Sequence, residues 1–392
     1  MIPRPYGEVG AQADVSGERK IRTKPATSAR PGLFLMIDSL QTGGSERQFV
    51  ALSRSIDEKY FQVHLGCIQA KGAFLDELAR VQPFPLGGSL YGWQAGRTLL
   101  RLRRHLRQRN VEIAHAFDFY TNLILIPAAK LARVPVIIGS LRQLGDLLTP
   151  AQSHAQMAMF RWCDAVVCNS RAAASRLVDR GLPERNIAVI WNGLREAAFA
   201  DTAPALPKVP SALRVGMIAR MNSLAKNHLV FLRAAARLRL EFPHAEYLIA
   251  GDGPLRKELE AEAAQLALGD RVRFLGDRRD IPALLASLDV SVLPSASESL
   301  SNAILESMAA GVPVVASDVG GNPELVSEDR GMLVAAGDEI GLSDALARLL
   351  RDGELRRQMG HNCRQFAGEN FTLDKMRLSH EQLYARLLAS KR

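Results

Sequence analysis

Two glutamates separated by seven residues carry the clearest chemical signal in this sequence. The pattern around Glu298 and Glu306 predicts a strand over Val290–Leu293, a loop, and a helix over Asn302–Ala310. Ligands of open α/β sheets bind at the carboxyl ends of strands, and the free N–H groups of a first helical turn there suit a diphosphate. We therefore expect Glu298 to accept hydrogen bonds from sugar hydroxyls and Glu306 from ribose hydroxyls. The alternative is a pair of solvated surface carboxylates.

Two cations follow another predicted strand, Leu213–Ile218. Arg220 and Lys226 would fall in the same cleft as the Glu298 loop, where they could hold a diphosphate and stabilise the charge of a leaving group. The alternative is a solvated loop. After the first buried strand, Gly43 and Gly44 would let backbone N–H groups approach a phosphate or sugar closely, or they simply form a tight turn.

Two further polar residues end strands of the first half. His115 ends an apolar strand that begins at Val111, and Arg142 follows the strand Val134–Ile138. Both are expected at the carboxyl edge of the first sheet. Arg142 suits an anion, whereas His115 fits either a contact to acceptor or sugar or a structural histidine.

Motifs for metal-dependent chemistry and hydrolysis are missing from the sequence. It has no DxD between strands, no HxxxH or HExxH, and no GxSxG. We therefore expect a reaction that needs no metal and no other cofactor.

These residues must be positioned by alternating strands and helices. Such alternation predicts α/β architecture with parallel, doubly wound sheets, and it includes a helix over Phe74–Arg80. Residues 200–212 contain three prolines and little periodicity, so we interpret them as a linker. We predict two Rossmann-like domains facing across a cleft. The predicted order is a flexible tail (1–30), a first domain (31–199), the linker, a second domain (213–370) and a final helix (371–392).

Positive charge is concentrated in the first half of the chain. Residues 1–200 hold 26 Lys and Arg against 16 Asp and Glu (26 − 16 = +10), and residues 201–392 hold 24 against 25 (24 − 25 = −1), which sum to the net +9. The segment Arg97–Arg109 is a basic amphipathic helix with Leu99, Leu102 and Leu106 on one face. It is either an ordinary helix packed on its sheet or a face for anionic lipid or a phosphate-bearing acceptor. No nucleic-acid motif accompanies it.

The cellular location of the protein is predicted from its apolar runs, its amino terminus and its cysteines. Its longest apolar runs are far shorter than a bilayer span, and the amino terminus has no apolar signal region. Its four cysteines have no zinc or CxxC spacing, so we interpret them as buried, reduced thiols. We expect a cytoplasmic protein, peripheral on the inner face of the plasma membrane if the basic helix binds lipid.

Taken together, these motifs resemble the family-4 retaining glycosyltransferases of the GT-B fold, over about residues 32–390. The resemblance rests on the order and spacing of eight segments. They are Leu40–Glu46, Ile190–Gly193, Ala219–Asn227, Ala250–Pro254, Val272–Gly276, Pro294–Glu298, Glu306–Val315 and Gly320–Val326.

The resemblance implies roles for the matching residues. Arg220 and Lys226 would bind the diphosphate, and Glu306 the ribose. The remaining contacts to the transferred sugar, the phosphates, the base or the acceptor would come from Glu298, from the backbone of Ser299, Leu300, Ser301 and Asn302, from the Phe274 to Gly276 backbone, and from Gly43 and Gly44. Ser299–Ser301 replaces the Gly-Phe-Pro or Gly-Leu-Pro that is frequent in the family, so the sugar contacts differ there.

The predicted function is retaining transfer of a sugar from a UDP-, GDP- or ADP-sugar to a glycan or lipid-linked hydroxyl. On this scheme the donor binds the second domain and the acceptor the first, and the carboxyl-terminal helix crosses back to the first domain. Polysaccharide, lipopolysaccharide or glycolipid synthesis is the expected setting. Two alternatives stay open: a nucleotide-sugar 2-epimerase on the same fold, and a non-catalytic, membrane-docked sugar-binding protein.

Overall fold

The computed structural model describes residues 30–88, 92–146, 148–207, 209 and 212–392. The predicted flexible tail lies outside the described residues, apart from Arg30. From Pro31 to Arg392 the chain packs as one unit. The boundaries that we predict between tail, domains and linker stay predictions.

The first half of the chain forms a sheet in which every paired neighbour is parallel. Its order among the described residues is β3-β2-β1-β4-β5-β6-β7. The strands are β1 Gly32–Ile37, β2 Gln62–Cys67, β3 Val81–Pro83, β4 Val111–Ala116, β5 Val136–Leu141, β6 Ala165–Cys168 and β7 Ile187–Val189. Central β1 is buried along its whole length, as its continuous apolar run requires.

Helices cover both faces of this sheet. They are α1 Gly44–Ser55, α2 Trp93–Gln108, α3 Phe119–Ala132, α4 Pro150–Phe160 and α5 Arg171–Asp179. Two of them, α3 and α4, share one kind of amino-terminal cap. Both begin with capping boxes, at Asp118 and Thr149, which satisfy the free N–H groups of their first turns.

The predicted helix over Phe74–Arg80 is wrong. The structure has a single 3-10 turn at Leu75–Glu77, followed by the edge strand β3. Arg80 adopts a left-handed conformation (φ 66°), which ends any helical path before the strand.

The second half builds another parallel sheet, in the order β10-β9-β8-β11-β12-β13 among the described residues. Its strands are β8 Arg214–Ile218, β9 Glu246–Ala250, β10 Val272–Gly276, β11 Val290–Leu293, β12 Val314–Ser317 and β13 Gly331–Val334. The associated helices are α6 His228–Leu238, α7 Arg256–Gln265, α8 Ile281–Leu285, α9 Asn302–Ala309, α10 Asn322–Leu325, α11 Glu339–Arg351 and α12 Gly353–Asn370.

The final helix, α13 (Leu373–Ala389), crosses back and packs on α1 and β4 of the first half. Its Tyr384 is fully buried and lies 2.8 Å from His115 Nδ1. Two parallel, doubly wound sheets and the returning helix therefore confirm the predicted fold class.

Two simpler observations complete the architecture. All four cysteines are free and buried, as we expected. Within the described residues, the helices are too short or too polar for any of them to cross a bilayer.

Candidate active site

The loops at the carboxyl ends of β8 and β11 bring Lys226 and Glu298 into contact. Lys226 Nζ lies 2.5 Å from Glu298 Oε1, and the Glu298 side chain is only 10% exposed. Lys226 ends a 3-10 turn, and the next residue, Asn227, anchors that turn by donating to the Pro294 carbonyl (2.8 Å). The sequence prediction that this cation and this carboxylate share one site is consistent with this geometry.

The backbone after Glu298 is held by the segment that follows β12. The Gly321 N–H donates to the Glu298 carbonyl (3.2 Å). At Gly320 the chain is left-handed (φ 52°), and a β-carbon there would lie 1.8 Å from the same carbonyl oxygen. Only glycine allows this approach, which fixes the Glu298 loop beside the amino terminus of α9.

The side chains of Ser299 and Leu300 are both engaged within the protein. Ser299 Oγ donates to Asn169 Oδ1 (2.6 Å), and Leu300 is buried in the core of the second half. Ser301 caps α9, because its Oγ accepts from the Ile304 N–H. Contacts from Ser299, Leu300 and Ser301 to a ligand must therefore come from their backbone groups, and the first turn of α9 is a ready anion site.

Glu306 lies in the second turn of α9 and is bound by a cation from the other half of the chain. Its carboxylate pairs with the guanidinium of Arg47 in α1, and its side chain is 13% exposed. Burial raises the pKa of Glu306, while Arg47 opposes the shift. Sequence reasoning missed Arg47, although a cation one turn beyond Gly43-Gly44 was a usable signal.

The glycine turn lies against the opposite loops. Arg220 donates to the Thr42 carbonyl (2.8 Å), and Asn302 Nδ2 donates to the Gly44 carbonyl (3.2 Å). A β-carbon on Gly44 would lie 2.8 Å from Asn302 Nδ2. The structure therefore brings Gly43, Gly44, Arg220 and Asn302 to one site.

Glu46, also missed from the sequence, adds a carboxylate to this turn. It is half-buried in the first turn of α1, and burial raises its pKa. Arg220 and Arg142 lie close enough to oppose that shift, while Asp38 adds to it. Glu46 thus sits between cations of the two halves.

Phe274 and Gly276 lie in β10, at the edge of the second sheet. The Phe274 carbonyl accepts a bond from Arg256 (3.4 Å), and the Gly276 carbonyl accepts from the Gly251 N–H (2.9 Å). They share the carboxyl edge with Lys226, but β9 and β8 stand between them and β11. Their approach to a nucleobase stays a prediction.

The expectation that His115 contacts acceptor or sugar is corrected by the structure. The ring is fully buried, with Nδ1 bonded to Tyr384 Oη and Nε2 to Ser140 Oγ (2.9 Å). Burial holds the pKa of His115 well below its ordinary value. With both nitrogens engaged, this histidine joins α13 to the first sheet.

Arg142 lies where the sequence places it, at the end of β5. Its guanidinium stacks on the Phe117 ring (4.9 Å) and donates to Asn192 Oδ1 (2.5 Å). Burial lowers the pKa of Arg142 to about 10. Its Nε has no hydrogen-bond partner among the described residues.

Metal-ligating side chains do not converge in the described part of the chain, where no three His, Cys, Asp or Glu residues lie close enough to hold an ion. The charged groups at the site instead include Arg47, Arg220, Lys226, Glu298 and Glu306. Such a set can bind a polyhydroxylated anion directly.

Comparison with known proteins decides the family. The model for Glycosyltransferase Family 4 matches residues 42–197, and the model for Glycosyl transferases group 1 matches residues 212–352. The lipopolysaccharide core biosynthesis glycosyltransferase LpsE of Rhizobium meliloti (strain 1021) is 33% identical over 256 residues, which are 64% of this chain and 69% of LpsE. The chain belongs to the group 1 glycosyltransferases of family 4.

Two further similarities extend the comparison. The UDP-Gal:alpha-D-GlcNAc-diphosphoundecaprenol alpha-1,3-galactosyltransferase of Escherichia coli is 28% identical over 318 residues, covering 75% of this chain and 80% of that enzyme. The structure of Anabaena HepE in complex with UDP and glucose superposes with a TM-score of 0.78 at 21% identity, covering 90% and 99% of the two chains. The GT-B fold is thereby confirmed, and this glycosyltransferase is an enzyme of glycan biosynthesis.

Proposed function

We propose that this glycosyltransferase moves a sugar from a nucleotide-diphosphate sugar to a hydroxyl of a glycan or lipid-linked acceptor, with retention at the anomeric carbon and without a metal. One observation carries the proposal. The carboxylates Glu298 and Glu306 and the cations Arg220 and Lys226 converge around the amino terminus of α9. The HepE complex, which holds UDP and glucose, supports the donor class by analogy.

Each charged group has a chemical task in this scheme. Lys226 would turn from Glu298 to the diphosphate, together with Arg220 and the free N–H groups of α9. Glu298 would then be free to accept hydrogen bonds from the sugar, as Glu306 would from the ribose once Arg47 gives way.

The transfer step exchanges a glycosyl phosphate bond for a glycosidic bond. The bond from the anomeric carbon to the β-phosphate oxygen breaks, and the acceptor oxygen bonds to the same face of that carbon. The acceptor proton passes to the leaving phosphate oxygen, so atoms and charge balance without an enzyme nucleophile. Arg220 and Lys226 stabilise the nucleoside diphosphate as its charge develops.

We also propose peripheral contact with an anionic membrane through α2, on the cytoplasmic side. Over its sixteen residues α2 has five arginines and no carboxylate, and in the described residues none of these arginines forms an ion pair with an acid. Trp93 (72%) and Leu100 (57%) are exposed on it. The E. coli relative uses a diphosphoundecaprenol-linked acceptor, which is a membrane substrate of the kind such a face would approach.

One assay separates the proposed reaction from its alternatives. Labelled UDP-, GDP- and ADP-sugars are incubated with the protein, with and without a bacterial lipid extract, in EDTA. We expect label to enter the lipid fraction from one donor, only when the extract is present. Interconversion of the nucleotide sugar without acceptor would indicate the epimerase, and binding without turnover the sugar-binding protein. Activity lost in EDTA and restored by magnesium would contradict metal independence.

A further inference from the structure

Asn192 lies in a segment for which the proposed reaction gives no role, Ile190–Gly193. The side chain is buried (3% exposed) although it is polar. Its backbone is fixed from α1, because Gln48 Oε1 accepts from the Gly193 N–H (3.0 Å) and Gln48 Nε2 donates to the Gly193 carbonyl (3.1 Å). A buried polar side chain needs hydrogen-bond partners, so we ask which bonds this amide makes.

Those hydrogen bonds form a continuous, one-directional chain between the two halves. Arg142 donates to Asn192 Oδ1 (2.5 Å), Asn192 Nδ2 donates to Asn302 Oδ1 (2.8 Å), and Asn302 Nδ2 donates to the Gly44 carbonyl (3.2 Å). Every member donates to the next, so each bond polarises its neighbour in the same sense. Gln48 adds a second bond to Asn302 Oδ1 (3.3 Å).

Two members of this chain, Arg142 and Asn302, belong to different parts of the site. Arg142 lies at the carboxyl edge of the first sheet, where we expect the acceptor, and its Nε is buried without a partner in the described residues. Asn302 is the first residue of α9, whose N–H groups we assign to the donor diphosphate. A displacement of α9 on donor binding would therefore be transmitted to Arg142 through the side-chain amide of Asn192.

We propose that Asn192 is a positioning residue that couples occupation of the donor site to the placement of Arg142 on the acceptor side. The inference rests on the proposed function, since it needs a nucleotide at α9. In this proposal Asn192 contacts neither substrate. Its two hydrogen bonds fix the positions of the Arg142 and Asn302 side chains relative to each other.

The substitution Asn192→Asp breaks the chain at one defined bond. An aspartate still accepts from Arg142 but cannot donate to Asn302 Oδ1. Asn192→Ala removes both bonds and serves as a second variant. Asn370→Asp is the matched control, because Asn370 is a half-buried amide at the end of α12 that donates to the Phe366 carbonyl (2.9 Å).

The probe is UDP, with GDP and ADP tried in turn, and the readout is amide hydrogen exchange. In the wild type, nucleotide should slow exchange at the start of α9 and also in the segment carrying Arg142. In Asn192→Asp we expect protection at α9 to persist and the response near Arg142 to disappear. Turnover with lipid extract should fall about 10- to 100-fold, as for a misplaced reacting group, while nucleotide affinity stays close to that of the wild type.

The possible outcomes distinguish the proposed function from the proposed coupling through Asn192. A wild-type protein that binds none of the three nucleotides contradicts the proposed function. A wild type that binds but shows no response near Arg142, or an Asn192→Asp protein whose response there matches the wild type and Asn370→Asp, overturns the coupling.

Discussion

Glu306 is a carboxylate whose pKa is set by two opposing effects. It is nearly enclosed, its pKa is raised by burial, and Arg47 supplies the opposing charge. A raised carboxyl pKa means that the folded state binds the proton more tightly than the unfolded state does. Ionised Glu306 therefore costs stability as pH rises through its pKa, and that cost is recovered as pH falls.

The same shift predicts an unusual pH dependence of nucleotide binding. As pH falls, Glu306 should protonate above the value of about 4.3 of an ordinary glutamate and lose its capacity to accept two ribose hydroxyl bonds. We expect UDP affinity, measured by calorimetry from about pH 4 to 8, to decline earlier on the acid side in the wild type than in Glu306→Gln. Titration of UDP itself is common to both proteins and cancels. Parallel curves for the two proteins would contradict this assignment.

Individual residues were predictable from sequence when a motif and a strand end coincided. Lys226 and Glu298 fulfil that condition, and they are in contact. The roles of Arg47, Glu46 and Asn192 depend instead on how closely the two halves approach, which neither a motif nor a strand end specifies. For His115, position at a strand end was not enough, since α13 returns to bury it.

Among the elements, α9 and α2 were both predictable from their sequence patterns. The helix predicted over Asn302–Ala310 is found at Asn302–Ala309, because a capping serine and a following glycine delimit it. The face of α2 that packs inward was also predictable from its leucines, of which Leu102 and Leu106 are buried. The outward, basic face of α2 takes no part in this packing, and we assign it to the proposed membrane contact.

That outward face predicts binding to anionic vesicles. We expect the wild type to float with phosphatidylcholine vesicles that contain phosphatidylglycerol, but not with phosphatidylcholine alone, and to be released by salt. Reversing Arg97, Arg101 and Arg104 to glutamate should abolish floating, because each basic residue near such a surface contributes about 1 kcal/mol.

The control for this experiment changes the same charge elsewhere. Arg348, Arg351 and Arg357 are exposed on α11 and α12 of the second half, and their reversal to glutamate should leave floating intact. Equal loss of binding in both triple variants would show that net charge, rather than α2, governs the interaction.

Helix α3 and strand β3 could not be predicted from the sequence, because neither shows a clear periodicity. Helix α3 is apolar on most of its surface, with an interior proline at Pro127, so it presents no clear polar face. The strand β3 is three residues long and lies at the sheet edge. Tertiary packing, rather than local pattern, determines both.

At the scale of the whole molecule, alternation of strands and helices was sufficient to predict two parallel sheets. The distance between their facing loops was not predictable, because no local pattern encodes it. In the structure that distance is short enough for Arg47 to reach Glu306 and for Asn302 to reach the Gly44 carbonyl. On the proposed function, donor binding would therefore replace contacts that already join the two halves.

The most direct measurement of the central claim is sugar transfer by Glu306→Gln. Glu328→Gln, which changes an exposed glutamate of the second half, is the control. We expect Glu306→Gln to weaken UDP binding by about 10- to 100-fold, the value of hydrogen bonds to a charged acceptor, and to lose most transfer while its melting temperature stays at or above that of the wild type. Wild-type turnover and UDP affinity in Glu306→Gln would contradict the donor site described above.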